Sequence, residues 1–388
     1  MTRMRRLFIL PLLTLASSLT LAAQTNKEPK SVVRFFNRLG TLIDTLTVKG
    51  VDPHYIVAPK RPWQVIVKGD VSQSELKMKS TIDGSTIFGE VAGDLVWEPT
   101  IKTTPSTYAG VWAGYRGYGF GYSWNVGGDD GSFLTFGATG GSYGINLRIH
   151  SFSSDNPEVY YKGIFTYGTN TETISGTESN PLASPIKTRT LMLDAYYMFN
   201  GKRFSYAAAY DQSVIQKRSA GSFMVGAMYY HSHINYANDE NAAFILLMDD
   251  IGRIKQWQLS IGAGYAYNLV PCRGLLINAM FMPMLTVYDR HKTWRYDSNL
   301  RDQAINNILY GEDELIESDY RLKDEPLSVT DSHSPIALNF DAHLSLTYQW
   351  SRFFINAHGQ FSRFHFKDGS VKGTLRDWYV NASIGVRF

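Results

Sequence analysis

Two groups of side chains in this sequence have types and spacings that could support chemistry. His231 and His233 are two residues apart, so on a strand they would face the same side and could bind a transition metal if a carboxylate joined them. Asp341, His343 and Ser345 would share a strand face in the same way. Neither group matches a metal-binding or nucleophile motif, so we predict no metal, no cofactor and no catalytic residue.

A third group is basic and lies near the middle of the chain. It consists of Arg203, Lys217, Arg218 and Ser219, which are candidates for the lining of a lumen or of its mouth. A solvated turn, whose cations meet lipid headgroups or nearby acids, is the other interpretation and is favoured. Which of the two holds depends on the elements that position these residues.

The last strand gives the strongest indication of those elements. Polar or small residues alternate with apolar ones up to the C-terminus, and the apolar positions are Trp378, Val380, Ala382, Ile384, Val386 and Phe388. Period-two alternation predicts a strand whose two faces meet different media. A terminal aromatic on such a strand resembles the C-terminal signal of bacterial outer-membrane barrels. We take Trp378, Val380, Ile384, Val386 and Phe388 as that insertion signal, which implies the barrel-assembly machinery and outer-membrane lipid as partners.

The N-terminus predicts export. Arg3, Arg5 and Arg6 precede an apolar stretch and two alanines, so residues 1–23 are predicted to be a signal peptide. Its removal lowers Lys+Arg from 38 to 35, equal to the 35 Asp+Glu, and a neutral chain argues against a nucleic-acid partner. Residues 24–60 are predicted to be a periplasmic segment and 61–388 the barrel. Cys272 is the only cysteine, so no intramolecular disulfide forms.

Hairpin spacing extends over most of the chain and predicts an all-β, antiparallel transmembrane barrel of about 12–14 strands. The predicted strands cover residues 63–68, 75–80, 108–115, 118–126, 133–139, 142–152, 159–165, 190–199, 203–213, 219–230, 257–268, 275–287, 336–350, 352–366 and 374–388. Residues 168–186 and 288–335 are predicted loops. An extra crossing is predicted at residues 242–248. Without it, the long loop 168–186 would lie on the periplasmic side and the short turn 200–202 on the outer side, the reverse of what barrels show. A loop helix is the alternative for residues 242–248.

Bulky and small residues alternate in the first of these hairpins, which predicts large side chains outside and small ones inside. Five tryptophans near strand ends are predicted to form an interfacial girdle rather than a substrate-stacking surface: Trp112, Trp124, Trp257, Trp350 and Trp378.

Four blocks of sequence resemble an uncharacterised family of outer-membrane proteins from Gram-negative gut-type bacteria, known only as a domain of unknown function. The blocks are residues 52–56, 197–206, 216–222 and 262–268. The second of them contains Asn200–Gly201 and is predicted to form a hairpin around that turn. The resemblance implies architecture and location but no activity.

The leading hypothesis for function is a narrow channel or ligand-binding barrel for small polar or amphiphilic solutes, with the ligand unknown. One alternative is a structural or surface-interaction barrel that acts through its long loops. The other alternative is a lipid-modifying barrel enzyme, and an enzymatic role is the less favoured one.

Overall fold

The structure is a computed structural model that describes residues 50–388, apart from 84–92, 168, 180–181, 242–243, 246–247, 297–324, 334–335 and 369–370. The predicted signal peptide and residues 24–49 of the predicted periplasmic segment therefore lie outside the described residues. None of the helices in the described part of the chain is both long and apolar enough to cross a membrane.

The chain forms a closed antiparallel β-barrel of 12 hydrogen-bonded strands, at the lower limit of the predicted number. The strands are β1 Trp63–Asp83, β2 Ser106–Tyr115, β3 Tyr118–Gly127, β4 Asp130–Thr139, β5 Tyr143–Ser154, β6 Ile186–Met198, β7 Ala220–Asn235, β8 Ile251–Cys272, β9 Leu275–Arg295, β10 Leu338–Trp350, β11 Phe353–Asp368 and β12 Val371–Arg387. Each strand pairs with the next, and β12 pairs with β1, so the ring has no open edge.

The side chains alternate around the ring as the C-terminal pattern predicts. On β12 the outward positions include Val380 and Ile384, which are about half exposed, whereas Asn381 and Arg387 face inward and are buried. Backbone hydrogen bonds in both directions between Trp63 and Phe388 close the seam between the first and the last strand. The polar face of every second residue therefore lines the lumen, and the apolar face forms the outer wall.

The two ends of the barrel differ. We call the end at Phe388 the near end and the opposite end the far end. Tight turns join strands at the near end, as at residues 116–117, where Arg116 and Gly117 both have positive φ. Gly117 is required there, because a Cβ atom would also lie 2.5 Å from Thr139 Oγ1.

At the far end the wall continues beyond the ring. A hairpin of Glu158–Tyr167 and Asn170–Ser179 pairs with Gly93–Trp97 and Thr100–Lys102, and these pair in turn with β1. The strand predicted at 159–165 is present, within Glu158–Tyr167, but it lies outside the ring of 12. The predicted loop 168–186 is wrong in part, because it contains the strand Asn170–Ser179. The predicted strands 63–68 and 75–80 are one continuous strand, β1.

The predicted loop 288–335 is wrong in part. Strand β9 continues to Arg295, and its last residues pair with a short strand, Ser328–Ser332. Residues 297–324 of the predicted loop lie outside the described residues.

Two further predictions about crossings are wrong. Residues 203–213 do not form a strand but enter the lumen and contain helix α1, Tyr206–Tyr210. The chain does not cross the membrane between β7 and β8, because these strands are hydrogen-bonded neighbours joined at the far end. The connection contains a 3-10 turn, Asp239–Asn241. Removing the false strand at 203–213 corrects the loop lengths without the extra crossing at 242–248.

Trp112 also departs from the prediction, because it points into the lumen rather than toward an interfacial girdle. A Cβ atom at Gly119 would lie 1.8 Å from Trp112 Cζ2, so the indole packs directly on glycine backbone. The outward alternation of Phe120, Tyr122 and Trp124 on β3 agrees with the prediction.

Candidate functional site

The near end of the lumen is filled by residues 199–219, which we call the plug. Its helix α1 begins after Ser205, whose hydroxyl accepts a hydrogen bond from the backbone N–H of Ala208 at 3.1 Å. The alanines Ala207, Ala208 and Ala209 have no more than 1% of their surface exposed. Small side chains allow this short helix to fit between the inward faces of the strands.

The C-terminal carbonyls of a helix lack partners within the helix, and here the barrel wall supplies them. Ala209 O accepts hydrogen bonds from Ser345 Oγ at 2.6 Å and from Asn356 Nδ2 at 3.2 Å. Gln64 Nε2 donates to Asp211 O at 2.6 Å. These donors belong to β10, β11 and β1, so the plug is held by several parts of the ring.

Arg387, the penultimate residue, makes the strongest of these contacts. Its Nη2 donates to Gln212 O at 2.7 Å and to Gln349 Oε1 at 2.8 Å, and its guanidinium lies 4.6 Å from the centre of the Phe354 ring. The side chain is 2% exposed. A buried guanidinium that donates to a carbonyl is worth more than a neutral hydrogen bond.

The carboxylate of Asp211 lies in the same buried region. It accepts hydrogen bonds from the Ser213 N–H and from Thr139 Oγ1. Burial raises the pKa of Asp211, and these hydrogen bonds oppose that rise.

Above the plug lies a luminal cavity of about 140 Å³. Tyr206 and Tyr210 of the plug form its floor, and its walls include both basic and acidic side chains: Lys68, Arg148, Asp70 and Asp194. A volume of this size holds a few water molecules or a solute of a few heavy atoms.

Most of the charges around the cavity are paired. Arg148 Nη2 donates to Asp377 Oδ2 at 3.1 Å, and its guanidinium lies 4.1 Å from the centre of the Tyr379 ring. Lys68 Nζ is 3.6 Å from Asp70 Oδ2. Buried charges require such partners, because desolvation of an isolated ion is costly.

Two buried atoms at the cavity have no hydrogen-bond partner: Arg148 Nη1 and Asp194 Oδ1. Buried polar atoms in native proteins are almost always satisfied, by protein, water or ligand. One donor and one acceptor are therefore available to a polar molecule in the cavity.

The predicted basic group lies on the outer side of the plug. Lys217 Nζ donates to Pro53 O at 3.2 Å, and its backbone N–H donates to Tyr55 O. The guanidinium groups of Arg203 and Arg218 lie 5.2 and 5.9 Å from the centre of the Tyr55 ring. Ser219 Oγ accepts from the Val270 N–H at 2.8 Å. Three of these four residues thus contact the segment at residues 50–57, of which Ile56–Val57 pairs with Ile215–Gln216.

The other candidate residues from the sequence do not assemble into a catalytic or metal site in the described part of the chain. Asp341 and His343 are 2.9 Å apart in the lumen, but Ser345 donates to Ala209 O, so the three do not form a nucleophile relay. His231 and His233 lie on the outer wall of β7, and the described residues contain no cluster of three or more metal-binding side chains.

Sequence reasoning did not single out Arg148 and Asp194. The sequence did contain a signal for them: each is a charged residue at an inward position of a strand whose other face is apolar. Such a position is unfavourable unless the charge serves a lumen.

Comparison with known proteins gives structural similarities of low identity. The translocator domain of the autotransporter NalP from Neisseria meningitidis is 10% identical, covering 92% of this chain and 98% of that one, with a TM-score of 0.27. The outer-membrane protease OmpT from Escherichia coli is 7% identical, covering 86% and 98%, with a TM-score of 0.29. The outer-membrane protein OprG from Pseudomonas aeruginosa is 10% identical, covering 84% and 97%, with a TM-score of 0.24.

These similarities carry no functional argument at such identities and TM-scores. No curated protein matches the sequence. A family model described as a domain of unknown function, DUF4421, matches residues 98–388, which include β2–β12, the plug and most of the cavity wall. The chain therefore belongs to the DUF4421 family.

Proposed function

We propose that this chain is an outer-membrane barrel that binds a small polar solute in its lumen and passes it slowly, with the plug as the barrier. The observation that carries the proposal is the cavity above the plug, where Arg148 Nη1 and Asp194 Oδ1 are buried without partners. A guanidinium favours an anionic or carbonyl oxygen, and a carboxylate favours an ammonium or hydroxyl group. A small zwitterion or polyol satisfies both.

The orientation is part of the proposal. After export and removal of residues 1–23, the last strand is recognised by the barrel-assembly machinery, and the near end faces the periplasm. Apart from the plug, the near-end connections are short turns, as at residues 116–117 and 273–274, and the other long connections lie at the far end; this pattern supports the orientation. Membrane fractionation with heat-modifiable gel mobility tests the location; a protein recovered in the soluble fraction would refute it.

Solute selectivity is tested with the protein reconstituted in liposomes, measuring uptake of small zwitterionic, neutral, anionic and cationic solutes. Asp194→Asn keeps the side-chain shape but removes the charge. We expect it to lower uptake of zwitterions by about tenfold, the usual weight of one hydrogen bond to a charged group. Asp331→Asn, the same change on the outer wall, serves as the control and leaves uptake unchanged. Equal uptake by wild type and Asp194→Asn would overturn the assignment of the cavity.

The plug is tested separately by planar-bilayer conductance. Replacing residues 200–218 with an Asn-Gly turn removes the plug while leaving β6 and β7 joined. We expect low conductance for the wild type and a severalfold higher conductance for the variant. Equal conductance of the two would show that the plug is not the barrier, and low conductance of both would favour a structural barrel.

A further inference from the structure

The outer wall of four neighbouring strands carries a row of basic side chains near the far end. The strand register places Arg189 of β6 opposite His233 of β7, His233 opposite Lys255 of β8, and Lys255 opposite Lys292 of β9. Adjacent strands are about 4.8 Å apart, so the row extends over roughly 14 Å. We call these four residues, together with Lys187 and Arg253 one step further out, the basic band.

The band begins where the apolar outer wall ends. The next outward row contains Leu191, His231, Trp257 and Arg290, the last of which is paired with Asp331. Below that row, four apolar or aromatic residues lie opposite one another: Leu193, Tyr229, Leu259 and Tyr288. On β8 the outward apolar face extends from Leu259 to Leu269, which at about 3.3 Å per residue and a tilt of about 40° corresponds to roughly 25 Å of height. This is the height of the apolar band of transmembrane barrels, so the basic band lies at the level of lipid headgroups.

Tryptophans mark the same level. Trp257 stacks on His231, with ring centres 5.0 Å apart. Trp294 lies 5.5 Å from both the Arg253 guanidinium and Lys255 Nζ, which holds these two cations against the wall. Indole rings favour the boundary between hydrocarbon and headgroups.

The charges of the band are incompletely compensated. Asp331 accepts from Lys292 at 2.9 Å, but among the described residues no carboxylate forms an ion pair with Arg189, Arg253 or Lys255. Lys255 and Lys292 lie directly opposite each other, an arrangement that destabilises a sheet unless an anion is present. His233 Nε2 lies between Arg189 and Lys255, is buried and has no partner.

The opposite wall of the barrel shows the compensated arrangement. Lys77 and Lys79 of β1 also face outward near the far end, but Glu98 accepts from both, at 3.2 and 2.7 Å. Arg376 on β12 is likewise paired, with Glu75 at 2.6 Å. On that wall Lys77, Lys79 and Arg376 are thus neutralised from within the chain, whereas in the basic band only Lys292 has a carboxylate partner among the described residues.

We propose that the basic band binds the phosphate groups of an anionic lipid, whose acyl chains lie against the apolar wall below it. Arginine and lysine are the side chains that recognise phosphate, and a row of them matches a headgroup with more than one phosphate. Because the apolar outer wall lies below the band, acyl chains have a surface to contact, which favours a lipid rather than free phosphate as the source of the anion. This site is separate from the luminal cavity and does not depend on conduction.

Native mass spectrometry of the full chain in detergent tests the proposal with three probes: diphosphorylated lipid A, its dephosphorylated form, and inorganic phosphate. We expect the wild type to retain the diphosphorylated lipid, and Arg189→Gln/Lys255→Gln to weaken this binding at least about tenfold. Lys77→Gln/Lys79→Gln removes the same charge from the compensated wall and should change binding less than about twofold.

Three outcomes would overturn the proposal: equal retention of the dephosphorylated lipid, binding of inorganic phosphate that displaces the lipid, or equal losses in the two double variants. Heat-modifiable gel mobility establishes that each variant is folded. If the glutamine variant does not fold, Arg189→Lys/Lys255→Arg keeps the charge and must retain the lipid. The salt dependence of wild-type binding gives a further measurement, and affinity that does not fall with salt contradicts a phosphate site.

Discussion

The two ends of the barrel use long connections in opposite ways. At the near end the connection between β6 and β7 folds into the lumen, where it is buried and its carbonyls accept hydrogen bonds from four side chains of the wall: Gln64, Ser345, Asn356 and Arg387. At the far end the wall continues outward as additional paired strands, and ion pairs such as Glu98–Lys79 lie on its surface. Burial makes each hydrogen bond at the near end costly to lose, whereas water and salt weaken the ion pairs at the far end.

The largest effect is expected from loss of the plug's carbonyl partners. Ser345→Ala/Asn356→Leu removes both donors that the barrel wall supplies to Ala209 O, which keeps only the hydrogen bond from Gln212 Nε2 at 3.1 Å. It also removes the Asn356 donor to the buried Thr347 Oγ1. We expect a loss of about 2–4 kcal/mol in the free energy of unfolding. The measurement is the temperature at which heat-modifiable gel mobility changes. An unchanged transition temperature would show that the hydrogen bonds of the plug contribute little to stability. The near end would then not differ from the far end in how much its contacts stabilise the barrel.

A smaller effect is expected from one added methyl group at each end of the same strand. Gly119→Ala on β3 places a Cβ atom against Trp112, whereas Gly127, at the far end of β3, has no atom within 4 Å of an added Cβ. We expect Gly119→Ala to cost about 1–3 kcal/mol and Gly127→Ala to cost little.

The double variant Gly119→Ala/Trp112→Leu tests the cause. Since the smaller side chain leaves room for the methyl group, it should recover part of the loss, giving a favourable coupling energy in a double-mutant cycle. Additive losses would mean that the strain at Gly119 has a source other than the indole.

The smallest effect is expected from the far-end ion pair. Glu98→Gln should cost less than about 1 kcal/mol at pH 7 and low salt, because the pair lies near water. The hydrogen bond from Lys79 lowers the pKa of Glu98 below its usual 4.5. The contribution is therefore fully present above pH 4.5 and is lost as the pH falls through the lowered pKa. Melting temperatures of both proteins should converge at low pH and at high salt; a constant difference contradicts the ion pair.

The sequence allowed the wall to be predicted well, and β12 shows why. Its two faces meet hydrocarbon and a polar lumen, so alternation at every second residue is enforced along the whole strand. The closed ring and the antiparallel hairpins follow from the same pattern repeated along the chain.

The plug was mispredicted because that constraint does not apply to it. Residues 203–213 alternate at first, through Phe204 and Tyr206, but both faces of the segment contact protein. The run Ala207–Ala209 favours a helix, but whether the segment forms a helix or a strand is decided by how it fits within the ring. Trp112 was misplaced for a similar reason, since the space it occupies is created by glycines on its own and the neighbouring strand, including Gly119.

The candidate site was predicted least well. Arg148 lies on β5 and Asp194 on β6, where Arg148 pairs with Met192 and Asp194 with Asn146. Their proximity therefore depends on the register of two strands that are separated along the chain by residues 155–185, and no local pattern specifies that register. The predicted basic residues Lys217 and Arg218 lie on the outer side of the plug, beside the segment at residues 50–57, and their role as a lining of the mouth stays a prediction.

Arg387 links two events in the life of the chain. It belongs to β12, whose pairing with β1 closes the ring, and its guanidinium also anchors Gln212 of the plug. Gln64 of β1 pairs with Arg387 across the seam and donates to Asp211 O of the plug, so a nascent barrel whose final strand has not yet met its first lacks this two-sided anchor. Sealing of the lumen and completion of the wall are thus coupled, because side chains from both strands of the closing pair hold the plug.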